Sequence, residues 1–168
     1  ELGVRTLFNI LGPLTNPANA PQQVMGVFHP DLVGIQVRVL QRLGSRRALT
    51  VFGREGLDEI STCGPTYVWE VRSGRVEEQV WEPQMVGLER GRLADLQGGE
   101  AANCSALLLR VLSGAPGPAR DIVLFNAAAS ISGAGAKPGS RNSRYRVLWM
   151  ASDTSSPTTS RSSNGPIG

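Results

Sequence analysis

Gln23-Val24-Met25-Gly26-Val27-Phe28, then Pro30 through Leu43, then Ala48-Leu49-Thr50-Val51-Phe52-Gly53, are three consecutive runs with two different periods. The outer two are short and almost continuously apolar, the pattern of strands covered on both faces. Between them Leu32, Val33, Ile35, Val37, Leu40 and Leu43 recur at helical spacing. Pro30 suits the first helical position and Gly44 the C-terminal stop. Strand, helix, strand in that order predicts a βαβ unit, with the two strands parallel and the crossover right-handed.

The flanking sequence extends this unit. Tyr67–Arg72 and Val76–Trp81 alternate, with Ser73-Gly74 between them, and predict a hairpin. Leu96-Gln97-Gly98-Gly99-Glu100 leads into a helix expected to end near Leu112-Ser113-Gly114. Pro116 and Pro118 mark a turn, and Ala119–Ser130 predicts a further apolar helix. Upstream, residues 1–12 suit the end of a helical segment, and the prolines and glycine of Gly12–Pro17 suit a constrained loop. The expected fold class is α/β, with a mixed, mainly parallel sheet flanked by helices. It occupies residues 1–135, and 136–168 form a divergent tail with 11 Ser/Thr and no amphipathic period, expected to be disordered.

The charge follows the same division. The net charge of +3 over 168 residues invites a nucleic-acid reading. Residues 136–168, however, hold five basic side chains against one acidic, whereas residues 1–135 hold 12 against 13. The body is close to neutral, so nucleic acid is not the expected partner. Arg141, Arg144 and Arg146 with Tyr145 and Trp149 could stack on a single strand, or simply be a solvated tail. No apolar run approaches the roughly 20 residues of a membrane span. The opening Glu1-Leu2-Gly3 has neither the basic nor the apolar region of a secretory leader. Cys63 and Cys104 show no metal-ligand spacing, and a reduced pair in the cytoplasm is expected.

Few residues suggest chemistry. Asp58-Glu59 follows the second buried strand by one short loop, and ligands gather at the carboxyl ends of parallel strands. Two carboxylates there offer hard oxygens to Mg²⁺, which keeps several waters and bridges to phosphate. A solvated acidic turn or a helix cap fits the same residues. Arg5, in the apolar stretch Leu2–Leu11, needs an anionic partner, either a bound substrate or an internal carboxylate. Gly98-Gly99, at a helix start, could offer backbone N–H groups to an anion. His29 is the single histidine and precedes Pro30, where a loop or capping role is expected. One histidine leaves no Ser/His/Asp triad or zinc spacing to build, and no residue is assigned as catalytic.

Read together, these pieces become specific. Glu1-Leu2-Gly3-Val4-Arg5-Thr6-Leu7-Phe8-Asn9-Ile10-Leu11-Gly12-Pro13-Leu14-Thr15-Asn16-Pro17 closely resembles the signature segment of the anthranilate phosphoribosyltransferases. Gly56-Leu57-Asp58-Glu59-Ile60 resembles that family's metal-binding turn. Leu96–Gly99, Asn103 to Gly114, Gly117–Asp121 and Asn126–Ala129 resemble its closing helices in order. The resemblance covers roughly residues 1–135. It implies the nucleoside phosphorylase/phosphoribosyltransferase fold and transfer of a phosphoribosyl group from phosphoribosyl pyrophosphate to the amine of anthranilate, in tryptophan biosynthesis. It further implies Mg²⁺ on Asp58 and Glu59, and Arg5 on the anthranilate carboxylate.

Set against the family pattern, its glycine-rich phosphate loop and its dimerising helical part would precede Glu1. The chain alone is therefore expected to be inactive. The abrupt loss of period implies a change of reading frame near residues 132–140, which re-reading the coding DNA would reveal. Two other readings stay open, a pyrimidine nucleoside phosphorylase and a non-catalytic relative that binds nucleic acid.

Overall fold

The computed structural model describes residues 10–15, 17–18 and 20–133. Arg5 and the expected tail lie outside the described residues. Four strands, β1 (Gln22–Gly26), β2 (Arg47–Gly53), β3 (Thr66–Arg72) and β4 (Arg75–Trp81), form one sheet in the order β1-β2-β3-β4. Three α-helices lie wholly within the described residues, α1 (Pro30–Arg42), α2 (Ala101–Leu112) and α3 (Pro118–Gly133).

The β1-α1-β2 unit is parallel as expected, with Val24 opposite Leu49 and Gly26 opposite Val51. The β3–β4 hairpin turns at Ser73-Gly74, where both residues have positive φ. The sheet is mixed, but its balance differs from the expectation of a mainly parallel one. Among the described residues one pairing is parallel, whereas β2–β3 and β3–β4 are antiparallel. A parallel neighbour needs a crossover, and the one helix that lies between sheet strands is α1.

Helix α1 starts where Pro30 fixes φ and the His29 ring accepts a hydrogen bond from the Asp31 N–H at 3.3 Å. His29 is thus a cap, as its position before Pro30 implied. The helix stops at Gly44, whose φ of +82° suits a residue without a β carbon. Gly12–Thr15, expected as a loop, is a short 3₁₀ turn, as are Pro83–Val86 and Leu93–Leu96 in a stretch without period.

Strand alternation sends the core to both faces of the sheet. On one face Met25, Ala48 and Val71 pack with Val37 and Leu40 of α1. On the other, Leu49, Val51, Val68 and Trp81 pack with Phe125, Ala128 and Ala129 of α3. Each such aliphatic side chain contributes roughly 1.5–3 kcal/mol when fully buried. Trp81 and Phe125 stack with ring centroids 6.3 Å apart, joining β4 to α3. Helix α3 is buried along this one stripe only, and Val123 and Ile131 face solvent. Helix α2 has no buried residue, and its Leu108, Leu109 and Leu112 are exposed.

One charged cluster sits under α3. Glu70 of β3 is 1% exposed, and its carboxylate accepts from the Arg47 Nε–H at 2.5 Å. The same guanidinium donates to the Ser132 carbonyl at 2.5 Å, near the C-terminal end of α3, where a positive charge also favours the helix dipole. The far end of α3 is thereby fixed to the sheet.

Candidate functional site

The acidic pair is held by the way the chain leaves β2. That strand ends at Gly53, whose N–H donates to the Leu57 carbonyl at 2.8 Å. The Gly56 N–H in turn donates to the Gly53 carbonyl at 2.8 Å. Gly56 has φ +99°, a conformation that side chains rarely adopt, so the tight loop depends on it. A β carbon on Gly53 would lie 3.1 Å from the Leu57 Cβ and 3.2 Å from the Ser61 Cβ. The loop therefore folds directly back on the end of its own strand.

It also reaches the neighbouring strand. Gly26 ends β1, and a β carbon there would overlap the Asp58 carbonyl group and lie 3.2 Å from the Asp58 Cα. Asp58 thus crosses the carboxyl end of β1 as well as following that of β2, where open α/β sheets bind ligands. The Asp58 and Glu59 side chains are both exposed. The Glu59 carboxyl is pushed above its ordinary value, first by partial burial and then by the Asp58 carboxylate beside it. No described cation forms an ion pair with either residue. Among the described residues the pair stands open to solvent without a cationic partner.

Beyond Glu59 the chain is clamped. The Ile60 N–H donates to the Asn126 Oδ1 at 2.9 Å, and the Asn126 Nδ2–H donates to the Ile60 carbonyl at 2.8 Å. The next residue is tied from within the loop. The Ser61 N–H donates to the Thr66 Oγ1 at 2.9 Å, the Ser61 hydroxyl bonds the Glu55 carboxylate, and the Ser61 Oγ accepts from the Cys63 N–H at 2.9 Å. A β carbon on Gly64 would meet the Glu55 Oε2 at 2.8 Å, so that glycine leaves space for this network.

The sequence reading placed Asp58 and Glu59 after a buried strand, and there they lie. Gly26, Glu55 and Ser61 carry no such expectation, and Asn126 enters only within the stretch Asn126–Ala129 that resembles the family's closing helices. The one available signal was Asn126, a polar residue in the otherwise apolar stripe Ile122, Phe125, Ala129. In the Gly98-Gly99 doublet, a β carbon on Gly98 would lie 2.6 Å from the Cys104 sulfur, and Gly99 has φ +90°. A cleft of about 400 Å³ lined by Thr62, Arg92, Asp95, Pro118 and Asp121 does not include the acidic pair. Of its charged lining residues, Arg92 pairs with Asp95 at 2.8 Å, Asp121 with Arg120 at 2.7 Å and Arg90 with Glu82 at 3.7 Å.

Comparison with known proteins adds the context. Residues 1–147 match the family model described as the glycosyl transferase family, a/b domain. The anthranilate phosphoribosyltransferase of Laribacter hongkongensis is 58% identical over 135 residues, which are 80% of this chain and 40% of that protein. That of Xanthomonas campestris pv. campestris is 50% identical over 155 residues, 92% of this chain and 45% of the relative. Among solved structures, anthranilate phosphoribosyltransferase from Thermus thermophilus superposes with TM-score 0.73 at 40% identity. The match covers 89% of this chain and 44% of that one. The Saccharomyces cerevisiae enzyme in complex with PRPP and Mg superposes with TM-score 0.70 at 28% identity, over 89% of this chain and 42% of its own. The chain spans about two fifths of the length of these curated relatives.

Proposed function

The chain belongs to the glycosyl transferase family through its a/b domain, and from that premise we propose that it is the α/β part of an anthranilate phosphoribosyltransferase. The observation that carries the reading is the acidic pair. Asp58 crosses the end of β1, and it and Glu59 follow the end of the parallel strand β2, in a chain 58% identical over 135 residues to a relative of that name. The reaction joins the amine of anthranilate to the anomeric carbon of phosphoribosyl pyrophosphate and releases pyrophosphate. The reading extends to tryptophan biosynthesis in the cytoplasm, and to a homodimer formed through parts of the enzyme outside this chain.

The acidic pair fits a divalent cation. Both donors are hard oxygens and both side chains are exposed; the Glu59 carboxyl, raised first by burial, is raised further by the Asp58 carboxylate beside it, a like-charge repulsion that a cation relieves. Among the described residues no group of three or more acidic, His or Cys side chains could hold a metal. Asp58 and Glu59 would therefore supply two ligands and leave the remaining positions to water and substrate phosphate, the usual state of Mg²⁺. When bound, Mg²⁺ neutralises charge that develops on a leaving pyrophosphate.

The protein's own contribution is placement. The loop bonds from Gly53, the contact at Gly26 and the clamp at Ile60 hold the backbone that carries the two carboxylates in place before substrate arrives, so less ordering is left for binding. Arg5, through its resemblance to the family signature, takes the anthranilate carboxylate in a two-pronged fork and aims the amine.

Calorimetric titration with phosphoribosyl pyrophosphate tests the reading. Binding is expected only with Mg²⁺ present, with loss in Asp58→Asn and Glu59→Gln. Arg5→Met is expected to lose anthranilate and keep the phosphorylated substrate. Binding that ignores Mg²⁺ and both carboxylate variants would remove the acidic pair from the mechanism.

A further inference from the structure

Ile60 is fully buried, yet it lies outside every strand, so the sheet does not pair its N–H and C=O. The Asn126 side chain takes both, accepting from the N–H and donating to the carbonyl as a neighbouring strand would. Its amide also donates to the Ile122 carbonyl one turn back in α3 at 3.0 Å, which limits the rotation of the side chain. Three bonds thus lock one amide between the helix and the residue that follows Glu59. Helix α3 is itself fixed beside Asn126 by the stack of Phe125 on Trp81.

An asparagine in an apolar stripe needs a reason. Ser130 and Asn126 lie one turn apart, but the Ser130 hydroxyl donates only within its own helix, to the Asn126 carbonyl at 2.9 Å. The Asn126 side chain instead reaches across from α3 to the acidic loop. A hydrophobic residue there could fill the space but would leave both Ile60 groups buried without partners. The amide therefore does something packing cannot, since it fixes the height and rotation of the peptide on which Glu59 ends.

We propose that Asn126 is the positioning residue of the Asp58-Glu59 turn, holding the acidic pair in the orientation that binds a divalent cation. This rests on the reading of that pair as a cation site. Removing groups that orient metal ligands typically weakens affinity by roughly ten- to a hundred-fold.

The test uses Mn²⁺ as a paramagnetic probe, with binding followed by electron paramagnetic resonance on the full chain and folding by thermal melting. Four variants are compared, Asn126→Ala, Asn126→Gln, Arg47→Met and Asp58→Asn. Asn126→Ala is expected to weaken Mn²⁺ binding roughly ten-fold or more. Asn126→Gln keeps the amide one methylene too long and is expected to fall between it and the unmutated chain. Arg47→Met is expected to lower the melting temperature without moving the Mn²⁺ midpoint, which separates positioning from stability. If Asn126→Ala does not fold, Asn126→Gln decides.

Mn²⁺ affinity unchanged in a folded Asn126 variant, while Asp58→Asn abolishes binding, overturns the proposal and leaves the cation site standing. Binding indifferent to Asp58→Asn, or absent from the unmutated chain, overturns the cation site and the proposed role together.

Discussion

Gly26 and Asp58 lie so close that a β carbon on the glycine would occupy the space of the aspartate carbonyl. The contact joins the last residue of β1 to the acidic turn after β2, 32 positions later, and it is backbone against backbone. No rotamer can relieve a clash of that kind. Gly26→Ala is therefore expected to displace the turn or part it from β1. Overpacking at a close contact costs about 1–3 kcal/mol, and an immovable carbonyl puts this site at the upper end. Urea denaturation gives the stability loss, and amide exchange at Asp58 and Glu59 reads the displacement. Unchanged exchange in a fully folded Gly26→Ala protein would show that the two strands do not meet the turn as described.

Arg47 and Glu70 form a pair whose two halves are expected to behave very differently. Glu70 is buried in β3 and Arg47 bridges it to the end of α3. Glu70→Ala leaves a largely buried guanidinium without its carboxylate, which costs about 3–5 kcal/mol. Replacing both together, Arg47→Met with Glu70→Leu, removes the charge from the interior and is expected to recover most of that loss. Denaturant midpoints of the single and double variants check it. A double variant as unstable as the single would mean that the bond to the Ser132 carbonyl, rather than the charge pair, holds α3.

The order of elements was legible because the decisive patterns are local. Leu32 to Leu43 carry a helical period, Pro30 and Gly44 punctuate it, and Ser73-Gly74 marks the hairpin. The acidic pair was legible for the same reason, since its place one loop after a buried strand can be read in order along the chain. The contacts that fix the pair are not local. Gly26 meets Asp58 across two strands, and Asn126 meets Ile60 across 66 positions. An asparagine in a helix carries no mark of what it will bond. The mixed α/β sheet is legible too, but its share of parallel pairs is not: one clear βαβ unit suggests more of them, whereas among the described residues β3 and β4 add antiparallel neighbours. The leucines of α2 follow a regular period, but the period alone does not say that the described fold leaves them exposed.

Gly34 gives an independent probe of the α1 face. A β carbon there would come within 2.7 Å of the Trp69 ring, so the indole lies against bare helix backbone. Gly34→Ala improves helix propensity by roughly 1 kcal/mol. The clash opposes that gain, and the ring is a rigid body rather than a flexible chain end, so a net loss of about 1–2 kcal/mol is expected. Tryptophan emission should shift to longer wavelength as Trp69 moves outward. A stabilised Gly34→Ala variant with unchanged emission would show that the ring yields at no cost.

The two thiols should differ in reactivity. Cys104 is exposed, whereas Cys63 is half-buried in the loop beyond the acidic turn. Burial, and then the Glu55 carboxylate, push the Cys63 thiol above its ordinary value, and hydrogen bonds from Thr62 and Ser61 only partly offset this. The thiolate is the nucleophile, so a raised value means less of it at a given pH and slower alkylation. At about pH 8, near the value of a free thiol, iodoacetamide is expected to modify Cys104 first. Cys63 should accelerate more steeply as the pH rises further. Glu55→Gln removes the negative charge while keeping a partner for the Ser61 hydroxyl, which lowers the Cys63 value and speeds its labelling at fixed pH. Mass spectrometry of the two cysteine peptides over time separates the rates. Equal labelling at that pH would show that burial does not slow Cys63, and a Cys63 rate unmoved by Glu55→Gln would show that the Glu55 carboxylate does not raise the thiol.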